Sequence, residues 1–343
     1  MNVSPPRNRI AGWMFVLVSP LAFAQTAATD VPLQIPGSYG QLARLVDIGH
    51  GRTLNLRCTG GGARTVMLEA GSHADSTTWF RLQPLLASFT RVCAYDRAGY
   101  GFSPAGPLPR NLQADVADLH ALIGRARISK PLVLVGHSLG GNIVRRYAEK
   151  YPADVAGLVL IDPPAQDVAA FSPGWAKAEA EMNSGRFAFI RQCEAAAEKG
   201  ELPSQRADLK DCIAQSIPFA GARVQAALNA YKAKPAFWRT LLSELQDNVG
   251  VFTQPVPPIE QHGSMPLLVL TASDTYADAP ADIRPALEQA REKTQSQITA
   301  SSTRGERWHV DRSTHDIQLD QPAEVAKAVA KVLQESGHAA QAD

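Results

Sequence analysis

Leu134-Val135-Gly136-His137-Ser138-Leu139-Gly140-Gly141 sets a serine between glycines two residues to either side, directly after an apolar run. A G-x-S-x-G pattern suits a side chain on a sharp strand-to-helix turn, because a Cβ at either flanking position would meet the returning backbone. Pro131 to Val135 is built from leucine and valine and reads as a buried strand, and Leu139 to Lys150 reads as a helix. The spacing therefore predicts that Ser138 Oγ stands clear of a sheet as a nucleophile. It also puts the N–H of Leu139 at the positive end of a helix, where an oxyanion can be held.

A serine hydroxyl attacks poorly at its free pKa, so it needs a base and a group that keeps this base in one tautomer. Of the eight histidines, His315 lies in Ser313-Thr314-His315-Asp316-Ile317-Gln318-Leu319-Asp320-Gln321-Pro322, after the last strand and before the last helix, and is the expected base. His309 is the alternative, though inside a strand it is expected to pack, and His137 is expected to point away from Oγ. The orienting acid is sought between serine and histidine at the end of a late strand, where Asp274 follows Pro266 to Ser273, with Asp278 as the alternative. A Ser-Asp-Thr run also suits a plain turn or cap, and the serine-acid-histidine order is what favours a catalytic reading. The second oxyanion donor is expected from the loop after Thr65 to Glu69. There Gly71 permits close approach, and the N–H of Ser72 is the candidate.

Positioning these groups needs a sheet, and from about Gly40 the chain alternates strand-like and helix-like segments. Gln41 to Ile48 and Arg52 to Cys58 read as a hairpin turning at Gly49-His50-Gly51, followed by strands at Thr65 to Glu69 and Arg91 to Tyr95. Helices are expected over Trp79 to Phe89 and around Leu112 to Ile123, and a further strand over Asp154 to Ile161, closed by Asp162-Pro163-Pro164. From Pro163 to Gly263 the alternation gives way to alanine- and aromatic-rich helices, a candidate cap. Its aromatics are expected mostly to pack, with some lining an apolar acyl or alcohol pocket. The sheet resumes at Pro266 to Thr271 and Arg307 to Val310, and the last helix covers Ala323 to Glu335. The expected organisation is a core over 25–162 and 264–343 with a helical cap over 163–263.

With 343 residues and a net charge of +1, the chain has no basic stripe and no acidic tail, so nucleic acid is not an expected partner and a small neutral substrate is. Arg7 and Arg9 precede an apolar stretch from Ile10 to Ala24 that ends in Ala22-Phe23-Ala24. This predicts a signal peptide over residues 1–24, cleaved after Ala24, rather than a stable membrane anchor, and hence an exported, periplasmic or secreted protein. In an oxidising compartment the four cysteines are expected to form disulfides, and local pairing of Cys193 with Cys212 is preferred among the three connectivities. Their spacing matches no metal-binding pattern, and no cofactor is expected.

These features together resemble the α/β-hydrolase superfamily. The resemblance runs over about Gly40 to Ile161 and Pro266 to Glu335. It is carried by Ala70-Gly71-Ser72 with Trp79, by Tyr95-Asp96-Arg97-Ala98-Gly99-Tyr100-Gly101-Phe102-Ser103, by the turn at Ser138, and by His315 with its following Asp-Ile-Gln-Leu-Asp-Gln-Pro. It implies an eight-stranded, mostly parallel sheet with helices on both faces and the cap inserted after the sixth strand. Strands two and four would then be neighbours, close enough for Cys58 and Cys93 to bridge. Many relatives carry His-Gly where Ala70-Gly71 stands, and a glycine where Ala272 precedes Asp274. The expected function is hydrolysis of a small, largely apolar carboxylic ester through an acyl-enzyme on Ser138. Serine at the turn disfavours attack by aspartate, whereas thioester, amide, lactone or carbon–carbon cleavage, acyl transfer, or a non-catalytic binding protein would use the same scaffold. Oligomeric state is left open by the sequence.

Overall fold

A computed structural model of the chain describes residues 31–214 and 216–339. The expected signal peptide lies outside the described residues. These described residues belong to one compact unit.

Eight strands form one sheet: β1 (Leu45–Gly49), β2 (Arg52–Thr59), β3 (Thr65–Glu69), β4 (Arg91–Tyr95), β5 (Leu132–His137), β6 (Val155–Ile161), β7 (Leu267–Ala272) and β8 (Gly305–Val310). Their order is β1-β2-β4-β3-β5-β6-β7-β8. β1 and β2 form the antiparallel hairpin, β2 pairs antiparallel with β4, and every later pairing is parallel. β5 is buried at all six positions, as a parallel strand covered on both faces must be. Its side chains alternate between two cores. Leu132 and Leu134 pack with α2 (Leu112–Arg125) and α3 (Leu139–Lys150) on one face, through Leu119, Ile143 and Tyr147. Val133 and Val135 pack with α1 (Leu82–Ala87) on the other, and with Val325, Val329 and Val332 of the last helix.

The helix expected over Trp79 to Phe89 is shorter. Asp75 caps a 3₁₀ turn at Ser76–Trp79, its Oδ1 accepting from Thr77 N at 2.8 Å, and Pro84 is tolerated only in the first turn of the helix that begins at Leu82.

Between β6 and β7 lie α4 (Trp175–Glu198), α5 (Ala222–Lys232), α6 (Pro235–Asp247) and α7 (Val249–Thr253). This insertion has its own apolar cluster, in which Ile190, Leu228, Phe237, Trp238 and Leu241 meet Ile35, Tyr39, Phe80 and Tyr100 from outside it. A disulfide, Cys193–Cys212, joins α4 to the segment before α5. A second, Cys58–Cys93, links β2 to β4, where the two residues are direct cross-strand partners. The sheet closes with α8 (Arg284–Ala300) between β7 and β8, then α9 (Ile317–Asp320) and α10 (Pro322–Ala339). Among the described residues, no helix is long and apolar enough to cross a membrane.

Candidate active site

Ser138 sits between β5 and α3 with φ 52° and ψ −122°, a strained backbone for any residue with a side chain. Both flanking glycines are required by contact. A Cβ on Gly136 would come within 2.5 Å of the Gly140 carbonyl oxygen, and one on Gly140 within 2.3 Å of the Glu69 carbonyl oxygen. The turn is tied to the neighbouring strand, with Ser138 N donating to Ile161 O at 3.0 Å. Gly71 faces it from the loop after β3, where a Cβ would lie 3.2 Å from Ser138 Cβ. Ser72, the next residue in this loop, is the expected second oxyanion donor.

His315 lies in the loop between β8 and α9. Its carbonyl oxygen is 3.0 Å from Nε2 of His137, the residue before the serine, and the two imidazole rings are 4.7 Å apart. Burial, and then the neighbouring His315, push His137 down to about 4. It is neutral at neutral pH, and its Nε2–H is used on a carbonyl rather than on Ser138.

The expected acid is corrected by the structure. The carboxylate on His315 is Asp162, directly after β6, with Oδ2 at 2.8 Å from His315 Nδ1. Asp274 is exposed at the end of β7, with its N–H on Ser313 O at 2.9 Å and its carboxylate taking the Ser273 hydroxyl at 2.8 Å. That is the turn role a Ser-Asp-Thr run serves readily. Asp278 is exposed as well, as is His309 on β8, next to Arg307.

Asp162 is 1% exposed and its backbone has φ 43°. Its oxygens also accept from Thr275 Oγ1 at 2.6 Å, Gln295 Nε2 at 3.1 Å and Ala272 N at 3.3 Å, with Arg291 at 3.6 Å. Burial alone would raise this carboxyl, but the His315 hydrogen bond and charge, with Thr275 and Arg291, hold it below the ordinary aspartate value. An ionised acceptor on Nδ1 keeps the proton there and leaves Nε2 of His315 as the basic nitrogen. Sequence reasoning passed over Asp162 as a strand terminator. The available signal was an aspartate at the carboxyl end of a wholly apolar strand, where ligand sites of parallel sheets lie.

The Ser72 loop is held from beneath by charged side chains. Arg97 donates to Ala70 O at 2.6 Å and Gly71 O at 2.7 Å, and it pairs with Glu69 at 3.0 Å and Glu244 at 2.9 Å. Glu244, from α6, accepts the Ser72 hydroxyl at 2.7 Å and the His73 N–H at 2.9 Å. Burial would raise Glu244, but Arg97 and these two donors bring it below the ordinary glutamate value. Burial dominates for Glu69, pushing it up to about 7 against the pull of Arg97 and of the Tyr95 hydroxyl at 2.5 Å.

A cavity of about 610 Å³ opens beside Ser72 and His73 under the insertion, with Trp175, Phe189, Trp238 and Phe252 among its walls. These are aromatics from the segment expected to line an apolar pocket, while Phe237, at 5% exposed, packs. Among the described residues, no cluster of three or more His, Cys, Asp or Glu side chains could hold a metal ion.

A serine on a strained turn at the carboxyl end of a central parallel strand, with a helix N-terminus behind it, has the geometry of the strand-turn-helix elbow of α/β-hydrolase folds. A model of the alpha/beta hydrolase family matches residues 50–328, and the chain belongs to that family. It is 34% identical over 116 residues to an uncharacterized protein, YqjL, of Bacillus subtilis (strain 168), a match covering 33% of this chain and 45% of that one. Over 102 residues it is 35% identical to the lipase LipV of Mycobacterium tuberculosis, covering 30% of this chain and 38% of the lipase. The matched segment thus spans less than half of either curated relative. A thermophilic esterase from Thermogutta terrifontis superposes with a TM-score of 0.56 at 20% identity, over 86% of this chain and 99% of the esterase, a likeness of fold.

Proposed function

We propose that this protein is an exported serine hydrolase that cleaves small, largely apolar carboxylic esters. The observation that supports this most directly is the imidazole of His315 held by a buried carboxylate, in a loop bonded to the residue next to Ser138. In the proposed reaction Ser138 Oγ attacks the ester carbonyl as its proton passes to His315 Nε2. The N–H groups of Ser72 and Leu139 donate to the oxyanion that forms. Collapse breaks the bond to the alcohol, which leaves with the proton from His315. Water then repeats the sequence on the acyl-enzyme, giving the acid and free Ser138. Asp162 keeps His315 in the productive tautomer and stabilises its charged form. The insertion acts as a cap whose aromatic walls suit an apolar acyl or alcohol group.

The substrate class also draws support from the lipase and esterase among the similar proteins. Export is supported by the two disulfides, which persist in oxidising compartments.

A fluorophosphonate probe tests the mechanism. Covalent labelling of the wild type that is lost in Ser138→Ala, together with release of p-nitrophenol from short-chain esters, is the expected result. A folded wild type that takes no label points to a binding protein. Labelling without ester turnover moves the assignment to another acyl or carbon–carbon substrate.

A further inference from the structure

We propose that Glu244, carried on α6 of the insertion, is a positioning residue that aims the Ser72 N–H at the oxyanion. This rests on the serine-hydrolase reading above. A carboxylate 1% exposed is costly unless it is paired and hydrogen-bonded. The groups that satisfy Glu244 all lead to the same short loop. One oxygen takes the Ser72 hydroxyl and the His73 N–H, and the other takes Arg97. Arg97 in turn grips the carbonyls of Ala70 and Gly71. Backbone groups at 70, 71 and 73 are thus fixed by one buried ion pair, and the amide enclosed between them is that of Ser72.

The loop needs this hold. His73 has φ 50°, a left-handed conformation unfavourable for a residue with a side chain. Gly71 runs so close to the turn that a Cβ would lie 3.0 Å from His137 Nδ1. The glutamate is itself anchored, because Asn248 Nδ2 donates to Glu244 O at 2.8 Å and to Arg110 O at 3.2 Å. An oxyanion donor is effective only when held in place before the charge develops, so the insertion sets the transition-state contact as well as walling the cavity.

The test compares wild type with Glu244→Ala and the isosteric Glu244→Gln, measuring kcat and KM on a p-nitrophenyl ester and the inhibition constant of an alkyl boronic acid, which forms a tetrahedral adduct on serine. The expected result is a fall in kcat of about 100-fold for E244A, the scale of losing one oxyanion donor. E244Q should fall less, KM should stay within about threefold, and boronate affinity should fall in step with kcat/KM. Should E244A fail to fold, E244Q decides alone, supporting the inference if kcat and boronate affinity both drop by more than about threefold at constant KM. A folded variant whose kcat is retained, or whose loss lies in KM or thermal stability with boronate affinity unchanged, overturns it and leaves a plain staple between insertion and core. A wild type that neither turns over ester nor takes a fluorophosphonate label overturns the hydrolase reading and this inference with it.

Discussion

Asp162 carries its charge where water does not reach, and the donors around it keep it ionised below the ordinary aspartate range. It is therefore an ionised acceptor for His315 Nδ1, at 2.8 Å. Replacing it with asparagine leaves the shape but favours the wrong tautomer. Asp162→Asn is expected to lower kcat by about 10⁴-fold, on the scale known for orienting carboxylates in serine proteases. Asp274→Asn, on an exposed turn, is expected to leave kcat within about twofold, as surface changes usually do. The pair of variants, assayed on one ester, separates the two aspartates directly. His137 bears on the same charge balance. Kept neutral, it places no second cation 4.7 Å from the His315 ring, the base in the proposed reaction.

At the scale of elements, the site depends on the unit β5, turn and α3 meeting the loop after β3 without spare room. Gly140→Ala would push a methyl group to 2.3 Å from the Glu69 carbonyl oxygen. We expect destabilisation of about 3 kcal/mol or more in thermal or denaturant unfolding, at the upper end for overpacking because backbone, not side chain, must yield. The outer face of α3 is held differently. Arg145 makes two bonds to Glu260, at 2.6 and 2.5 Å, and both residues are buried. Burial would raise Glu260, but His262 and Arg145 bring it to about 2, against 4.5 for an ordinary glutamate. A depressed carboxylate contributes stability that is present above the unfolded value and lost as pH falls through the folded one. Glu260→Gln is therefore expected to cost about 3–5 kcal/mol near neutrality, because Arg145 is left buried and unpaired. That difference should shrink as pH falls from about 4.5 towards 2 in urea unfolding series.

For the whole molecule, the two disulfides brace different parts, one the antiparallel edge of the sheet and one the insertion. Intact mass under non-reducing conditions is expected to lie four hydrogens below that of the reduced chain. Cys193→Ser with Cys212→Ser should lower stability by about 3 kcal/mol by the chain-entropy argument for a short loop. The insertion also shares side chains with the body, since Phe80 and Tyr100 sit in its apolar cluster and Glu244 reaches Arg97. Loosening the insertion should therefore be felt at the Ser72 loop as well as at the pocket.

Local chemistry decided much of this protein without tertiary information. Glycines at 136 and 140 around Ser138 permit a sharp turn that few other residues would, and the unbroken apolar run of β5 requires cover on both faces. The placing of His315 in a loop after the last strand was readable as well, and that loop runs from β8 to α9. The partner of that histidine was not readable. Asp162 and Asp274 both end apolar strands, and β6 and β7 are adjacent and parallel, so their carboxyl ends lie side by side. Which carboxylate faces His315 depends on how each chain leaves its strand. Asp162 turns inward at φ 43° onto Thr275, Gln295 and Arg291, whereas Asp274 turns outward onto the Ser313 backbone. Glu244 was hidden for the same reason. It lies 172 residues from Ser72 on an ordinary helix, and only the packing of the insertion against the body gives its charge a partner. Periodicity and turn chemistry act over a few residues and can be read along the chain, whereas the pairing of buried charges is settled by distances that exist only once the chain has folded.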